Sequence, residues 1–264
     1  NLAAAAPISV PTISTAIATV RYSDGNTVVV SSDPRTVFGS ASTLITFSNR
    51  NQITATSNSL APGMADIYVT FEGLYASGIV QVVAVTSVAV ASRPYPSYTG
   101  SGSVSETMLS RVQCTTVYQR AQLVATAQLS DGLSVDVTAQ STFSISGGAG
   151  LSMANSVLTP TAAGTYVVSG TFGTTSYASV SITVVDTAVQ VSSLEQTTSF
   201  DQSTFGGLTG TVKPLVVAVT FSDGTKFVDA VSGTQKAWIA PSLYLAFTSS
   251  DTQAITVSSE GVAT

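Results

Sequence analysis

The side chains that could do chemistry in this chain are carboxylates, hydroxyls and one thiol. The 264 residues include 14 Asp and Glu, one Cys and no His. Without His the chain lacks the usual general base, the commonest metal ligand and the usual activator of a nucleophilic Ser or Cys. The carboxylates are dispersed, and no Gly-rich phosphate loop follows a strand and opens a helix. We therefore predict that the chain is not an enzyme and has no cofactor.

Calcium is the metal that these carboxylates would suit best. Asp131 with Asp136, or Asp223 with Asp229, could offer oxygens to one ion, and Asp186 lies near a predicted junction. Calcium takes about six to eight oxygen ligands, and no Asp-X-Asp-X-Asp-Gly loop is present. The alternative is that these aspartates accept hydrogen bonds from their own backbone in Asx turns. We favour the turns and predict no metal site.

Three Asp-Gly pairs organise the sequence: Asp24-Gly25, Asp131-Gly132 and Asp223-Gly224, which lie 107 and 92 residues apart. Asp-Gly between alternating apolar runs is typical of a tight β-hairpin in which both residues take positive φ. The strand before each turn predicts one core face in all three copies, and this agreement indicates tandem repeats. The predicted core positions are Ala18, Val20 and Tyr22; Leu123, Ala125, Ala127 and Leu129; and Leu215, Val217, Val219 and Phe221.

The composition favours strands and argues against nucleic-acid binding and against a membrane span. Hydrophobic residues make up 44% of the chain and charged residues only 9%, so Ser, Thr, Asn and Gln must form the polar surface. Abundant Val, Ile and Thr favour pleated sheets. The net charge is −5, and no basic patch is present to bind a nucleic acid. No apolar run reaches the about 18 residues of a transmembrane helix, so we predict no membrane span.

The repeats predict three domains: residues 1–86, 87–186 and 187–264. Residues 1–11 are interpreted as a linker or the tail of a preceding element, and the third domain as incomplete. Within that domain Phe247–Val257 corresponds to Phe47–Ala55 of the first. The sequence ends before the expected Tyr-bearing strand, and a sandwich without its last strands would leave open sheet edges. We therefore expect a longer chain, or a neighbouring chain that supplies the missing strands.

The second repeat carries a recognisable pattern: Asp131-Gly132, then Asp136-Val137-Thr138, Phe143 and Gly164-Thr165-Tyr166. This pattern resembles the bacterial Ig-like group 2 repeat. The resemblance implies an all-β fold of tandem Ig-like sandwiches with about seven strands each, as in adhesins, invasin-like surface proteins and other extracellular rods. The Ala/Ser/Thr-rich composition and the Pro-Tyr-Pro-Ser loop are also similar to algal flagellar-hair (mastigoneme) proteins.

One segment stands apart from the repeat pattern. Residues 93–104 contain two prolines and two glycines and break the strand periodicity, which predicts a surface loop or hinge. Its aromatic, proline and hydroxyl side chains make it the candidate interface or glycosylation loop; an ordinary exposed hinge is the alternative. The candidate residues are Pro94, Tyr95, Pro96, Ser97 and Tyr98.

Two single residues have open interpretations. Trp238, the only Trp, is either core filling or an interface anchor, and core is favoured because large aromatic side chains are mostly buried. Cys114, the only Cys, cannot form a disulfide within the chain. It is either buried or tolerated, or it pairs with another chain.

These observations favour a structural function. We predict a segment of an extracellular filament or of a cell-surface or flagellar appendage glycoprotein. Its expected partners are copies of itself or other filament and surface proteins, and glycans are a further candidate partner. The alternative is an adhesin stalk or a glycan- or receptor-binding module for cell adhesion. An inert spacer beside a catalytic domain is a third option.

Overall fold

The computed structural model describes residues 13–56, 62–173, 175–176, 179–196 and 210–264. In these residues the regular structure is β-strand with four short 3-10 helices, and no α-helix occurs. The all-β fold predicted from the β-branched composition is therefore confirmed. The predicted lead-in over residues 1–11 lies outside the described part of the chain. The 3-10 helices are Ser101–Ser103, Thr138–Gln140, Thr234–Ala237 and Pro241–Leu243.

The strands are numbered in chain order. The first nine are β1 (Ile13–Thr15), β2 (Thr19–Arg21), β3 (Thr27–Val29), β4 (Thr36–Gly39), β5 (Ile45–Ser48), β6 (Gln52–Ala55), β7 (Gly63–Phe71), β8 (Leu74–Val82) and β9 (Val85–Tyr95). The next ten are β10 (Met108–Val112), β11 (Arg120–Leu129), β12 (Ser134–Asp136), β13 (Ser141–Ser146), β14 (Leu151–Ala154), β15 (Val157–Pro160), β16 (Gly164–Phe172), β17 (Thr175–Ser176), β18 (Val180–Val189) and β19 (Val191–Gln196). The last four are β20 (Lys213–Pro214), β21 (Val217–Phe221), β22 (Lys226–Phe227) and β23 (Val262–Ala263).

The chain forms two compact units. Unit 1 comprises Asn1–Ala89 and Ala125–Gln140, and unit 2 comprises Val90–Val124 and Ser141–Thr264. The division into three repeats at 1–86, 87–186 and 187–264 follows the sequence pattern instead, and it stays a prediction.

Unit 1 contains three small antiparallel sheets, ordered β1-β6-β5, β2-β3 and β4-β7-β8. Small and β-branched side chains fill the space beside them, because such residues pack well on a pleated surface. One cluster centres on Ala65 and the other on Phe71. Their buried members are Ala16, Ile45, Ile53, Ala65 and Val82, and Ala18, Val30 and Phe71.

The middle of the chain forms two five-stranded sheets. One has the order β10-β18-β16-β13 with β17 beside β16, and the other has the order β12-β11-β15-β14 with β9 beside β11. Buried side chains of unit 2 from both sheets form one core, which we call the sandwich core. Its members are Leu109, Tyr118, Ala121, Leu123, Leu151, Leu158, Tyr166, Val168, Ile182 and Val184. The Tyr166 hydroxyl donates to the carbonyl oxygen of Ala162 at 3.0 Å, as in the tyrosine corner of Ig-like sandwiches.

Unit 2 has a second core, called here the C-terminal core, beside the sheets β19-β21-β22 and β20-β23. Two strands serve both cores: β10 supplies Leu109 to the sandwich core and Val112 to the C-terminal core, and β18 supplies Val184 and Val189 respectively. The buried members of the C-terminal core are Val112, Val189, Val219, Phe221, Phe227, Ala230, Ile239 and Tyr244.

All three Asp-Gly pairs form hairpins, pairing β2 with β3, β11 with β12 and β21 with β22. The predicted turn geometry is wrong in one respect. Only the glycine has positive φ, at 87° for Gly25 and 86° for both Gly132 and Gly224. Each glycine N–H donates back across a four-residue turn, so this is a type I turn followed by a left-handed glycine. The aspartate keeps negative φ because its carboxylate accepts the N–H two residues later.

The predicted core face is confirmed in the second repeat, where Leu123, Ala125, Ala127 and Leu129 are all buried. In the third, Val219 and Phe221 are buried and Val217 is partly buried. In the first, Ala18 is buried, but Tyr22 is 51% exposed, so its core assignment is wrong. In the described part of the chain the hairpin there has only two strands and β3 is exposed throughout, so no second layer of described residues covers Tyr22.

The correspondence of Phe247–Val257 with Phe47–Ala55 does not extend to structure. Residues 45–55 contain β5 and β6, whereas 247–257 contain no named strand and only a bridge from Val257 to Ala263. The Asp251 carboxylate accepts the N–H groups of Gln253 and Ala254, and this local capping stabilises turns in place of a strand.

Candidate functional site

The predicted interface loop begins later than its sequence suggests. Strand β9 continues through Tyr95, and burial still alternates, with Ser92 and Pro94 buried. The predicted break at Arg93 is therefore wrong for residues 93–95. Proline is tolerated there because, among the strands that the structure describes, β9 pairs with β11 alone and lies at a sheet edge. Beyond the strand, Ser97 is exposed and Tyr98 is half-buried.

A narrow crevice in unit 2 lies beside this segment. Pro94, Tyr95 and Pro96 line it together with Glu106, Gln119, Arg120, Thr225, Lys226 and Phe227. Its free volume is ≈ 10 Å³, which is enough for about one water molecule. The crevice therefore has no room for a sugar, a nucleotide or a peptide side chain.

The centre of this crevice is a buried amide that sequence reasoning did not identify. Gln119 donates through Nε2 to Asp223 Oδ2 and to Thr225 Oγ1, both at 2.7 Å. Its Oε1 accepts the N–H of Ser110 at 3.0 Å. Through these three hydrogen bonds Gln119 ties β10 to the third Asp-Gly turn. Gln119 lies more than a hundred positions from Asp223 and Thr225, so no local sequence signal links it to that turn.

Glu106 is the most perturbed carboxyl group beside the crevice. Burial, and after it the negative charge of Asp223, raise the pKa of Glu106 to about 7. Burial also raises the pKa of Tyr98, and the Glu106 charge adds to that effect. A carboxyl group with such a pKa changes charge near neutral pH. The arrangement makes this part of unit 2 sensitive to pH.

Trp238 packs against the C-terminal core, which supports its interpretation as core filling. Its ring meets Phe227 edge-on at 5.6 Å between centroids. The guanidinium of Arg120 lies 4.5 Å from the Trp238 ring centroid, a cation–π distance. Burial lowers the pKa of Arg120.

The aspartates considered as calcium ligands accept hydrogen bonds from other groups of the chain. Asp131, Asp136, Asp223 and Asp229 each accept backbone N–H groups two or three residues later. Asp186 accepts the hydroxyl of Tyr118 at 2.5 Å. Within the described residues, His, Cys, Asp and Glu do not gather in any group of three or more that could hold a metal ion. The single thiol, Cys114, is exposed.

The serine before each of the last two Asp-Gly pairs makes the same contact. Ser130 N–H donates to the carbonyl of Ala84, and the Ala84 N–H donates back to Ser130 Oγ at 3.1 Å. Ser222 and Gln190 exchange the equivalent two bonds at 2.8 and 3.1 Å. This reciprocal pair attaches each turn to the residue just before β9 or β19. The turns at Ser130 and Ser222 therefore share a local geometry as well as a sequence motif.

Unit 1 presents an exposed apolar surface that we call the β4-β7-β8 outer face. Cross-strand partners point to the same side of a sheet, and the register places Val37, Met64, Tyr68, Tyr75 and Ile79 on the side away from the core. All five are exposed. In these three strands the only charged residue is Asp66, which also lies on this face.

Two tyrosines shape the β4-β7-β8 outer face. The rings of Tyr68 and Tyr75 lie 6.4 Å apart with planes 19° from parallel. A Cβ on Gly39 would lie 2.3 Å from the Tyr68 ring, so the ring covers that glycine directly. The corresponding residue of the second repeat, Tyr166, is instead 3% exposed in the sandwich core. A groove of ≈ 680 Å³ runs beside the two tyrosines, between Ala41 and Ile79.

In the described part of the chain, no helix has the length and apolar character needed to cross a membrane.

Comparison with known proteins finds no matching family model and no matching curated protein. Among solved structures the chain is similar to parts of the S-layer protein SbsC. Domains 5-6 are 17% identical, with 67% of this chain and 90% of that chain covered and a TM-score of 0.26. Domains 4 and 5 are 15% identical, with coverage of 63% and 79% and a TM-score of 0.32. Domains 4-9 are 14% identical, with coverage of 86% and 36% and a TM-score of 0.26. Sequence identities and TM-scores this low do not assign the chain to a family.

Proposed function

We propose that this chain is a structural segment of an extracellular filament or of a cell-surface or flagellar appendage protein, and that it assembles through protein–protein contacts. The observation that carries the proposal is the β4-β7-β8 outer face, with its five exposed apolar side chains and single charge. Contiguous exposed apolar surface is typical of interaction sites.

The low charge of the chain supports lateral packing. Only 9% of the residues are charged, so few ions must lose their hydration when two surfaces meet, and that loss is the main cost of burying charge. The small crevice beside Pro94–Tyr98 leaves no room for a ligand. The exposed outer face is therefore a better candidate for contacts than this crevice, and extracellular arrays of all-β modules work through such surfaces.

The test is to image native cells by electron microscopy after immunogold labelling with an antibody raised against this segment. Regular labelling along a filament or flagellar hair is the expected result, and labelling of an ordered surface would also agree with a structural function. Antibody adsorbed with the purified chain controls for background. Sparse labelling without periodicity, or labelling inside the cell, would contradict the proposal.

A second candidate function is glycan binding at an adhesin module, and the tyrosine pair favours it. Tyr68 and Tyr75 offer two nearly parallel rings beside an open groove, with the carboxylate of Asp66 and the hydroxyl of Ser77 next to them. Aromatic rings provide an apolar body with a polar tip, which suits a sugar. A glycan array probed with the wild type and with Tyr75→Ala tests this candidate. If the tyrosine pair binds a glycan, the wild type should bind at least one glycan and Tyr75→Ala should not bind it.

The Pro94–Tyr98 segment remains our candidate for modification. Ser97 is its exposed hydroxyl. Mass spectrometry of peptides from the native protein tests this, and the expected result is a glycan at Ser97. An unmodified peptide would show that the segment is an ordinary loop.

A further inference from the structure

The edge of the β4-β7-β8 sheet carries a further inference. Strand β8 is nine residues long and ends the sheet order, and within the described residues it pairs only with β7. Every residue from Leu74 to Ile79 is exposed. The outer edge of such a strand presents unpaired N–H and C=O groups in the pattern that another strand requires. The fitting partner is therefore an extended strand.

Strand β8 has none of the usual features that prevent edge pairing. Natural proteins protect long edges with charged side chains, prolines or bulges. Strand β8, of sequence LYASGIVQV, contains neither a charge nor a proline. Its pairing with β7 is continuous from Gly63 with Val82 to Phe71 with Leu74, without a register shift. The edge is regular along its whole length.

The absence of charge also selects the partner. When an edge strand pairs with a copy of itself in antiparallel fashion, the residues near the two-fold axis lie opposite or beside their own equivalents, so a charged side chain there would lie close to the same charge. Strand β8 has no charge to repel its copy. The nearest charged residue of the sheet, Asp66, lies one strand further in, opposite Ile79. A charged partner strand would gain no ion pair here.

We infer that β8 is a self-association edge, which pairs with β8 of a second copy and joins two three-stranded sheets into one continuous sheet. The inference rests on the proposed function, because it names the contact through which the segment assembles. Exposed Tyr75 and Ile79 lie on the outer face of β8. In the paired state they extend the apolar outer face across both copies.

The test is the self-association of the full 264-residue chain, measured by sedimentation equilibrium over a wide concentration range. Ile79→Lys adds a charge to the edge strand at a side chain that is 67% exposed. The matched control is Val37→Lys, which adds the same charge to the same face at a side chain that is 56% exposed, on β4 at the far side of the sheet. We expect Ile79→Lys to weaken association at least about tenfold and Val37→Lys to leave it nearly unchanged.

A cross-linking experiment tests the same edge without adding charge. Single cysteines enter β8 as Tyr75→Cys, Ser77→Cys or Ile79→Cys, each with Cys114→Ser. In antiparallel pairing the residue nearest the two-fold axis lies beside its own copy, close enough for a disulfide, so mild oxidation should link two chains in the variant nearest that axis. Val37→Cys in the same background is the control and should stay unlinked.

The outcomes separate the inference from the proposed function. If the wild type associates and both lysine variants weaken it equally, the contact is the sheet face, so the β8 inference fails and the proposed function stands. The inference fails in the same way if Ile79→Lys associates like the wild type. A wild type that stays monomeric at every concentration contradicts both.

Discussion

At the scale of single residues, Gln119 shows how one buried side chain can join distant segments. Its amide satisfies three partners at 2.7–3.0 Å: Asp223, Thr225 and the backbone of Ser110. A buried group that loses its partner costs more than the bond itself contributed, because the orphaned atoms remain without water. Gln119 therefore stabilises the fold through three hydrogen bonds that would be lost together.

We expect Gln119→Ala to lower the free energy of unfolding by about 1–3 kcal/mol, because it leaves the Ser110 N–H without its acceptor. Urea unfolding followed by Trp238 fluorescence measures this, since Trp238 packs against the C-terminal core. The control is Gln128→Ala, at an exposed amide on β11; its expected effect is within about 0.5 kcal/mol. Equal effects from the two substitutions would contradict the network.

Glu106 gives the chain a pH dependence of unusual sign for a carboxyl group. Its pKa is about 7 in the folded protein against 4.5 for the free group, because burial and the charge of Asp223 disfavour the anion. Between these two values the folded state binds more protons than the unfolded state. The stabilisation is complete below about pH 4.5 and is lost as the pH rises through about 7.

Glu106→Gln removes this dependence. We expect the variant to be more stable than the wild type at pH 8, by on the order of 1 kcal/mol once partial solvent exposure is allowed for. The difference should shrink as the pH falls toward 4.5. Thermal unfolding across this pH range measures it, with exposed Glu195→Gln as the control for a change of net charge. A constant difference across the range would contradict the assignment.

At the scale of elements, the three Asp-Gly hairpins are the most predictable feature. The sequence motif identified them because the aspartate carboxylate and the glycine backbone act within five residues of chain. It did not predict the turn type, since the positive φ belongs to glycine alone. The glycine is therefore the residue on which the turn depends.

Gly132→Ala tests the backbone contribution to the second hairpin. The φ of Gly132 is 86° and nothing lies within 4 Å of an added Cβ, so any cost comes from backbone conformation alone. We expect a loss of about 1 kcal/mol in unfolding free energy, the usual cost of a left-handed residue other than glycine. Gly78→Ala, where φ is not in that region and the added Cβ would sit 3.7 Å from Ile67, is the control and should be nearly neutral. Similar losses at both positions would contradict the turn argument.

Core positions could be predicted where a second sheet covers the strand. Leu123 and Leu129 follow period-two alternation and are buried, while Tyr22 has the same alternation and is exposed. The difference is whether other residues pack over the strand, and the alternation of residues within the strand does not encode this. The same limit applies to the β8 edge and to the crevice beside Glu106, since both are set by neighbours distant in sequence.

At the scale of the whole molecule, the two cores of unit 2 share strands. Strands β10 and β18 each supply side chains to the sandwich core and to the C-terminal core, on either side of a register shift between Ser110 and Arg111. Loss of packing in one core should therefore displace strands that complete the other. The sequence pattern alone suggests separate repeats, because it does not reveal shared strands.

Leu123→Ala tests this coupling. Leu123 is fully buried in the sandwich core, so the substitution should cost about 2–5 kcal/mol there. Because Trp238 belongs to the C-terminal core, its fluorescence would report the loss only if the two cores unfold together. We expect the Trp238 transition to move to lower urea concentration. An unchanged Trp238 transition, with a shifted far-UV signal, would show that the cores unfold independently.

The reciprocal bonds of Ser130 with Ala84 and of Ser222 with Gln190 have a consequence for how such chains evolve. On the Ala84 and Gln190 side each bond uses only backbone atoms, and those two side chains have nothing in common. The stretch of chain between the two bonded residues also differs, with separations of 46 and 32. This contact places no demand on the side chain of the residue before the strand, and it forms across intervening stretches of different length. Substitutions at Ala84 or Gln190, and changes of length between the bonded residues, should therefore accumulate in evolution without loss of this contact.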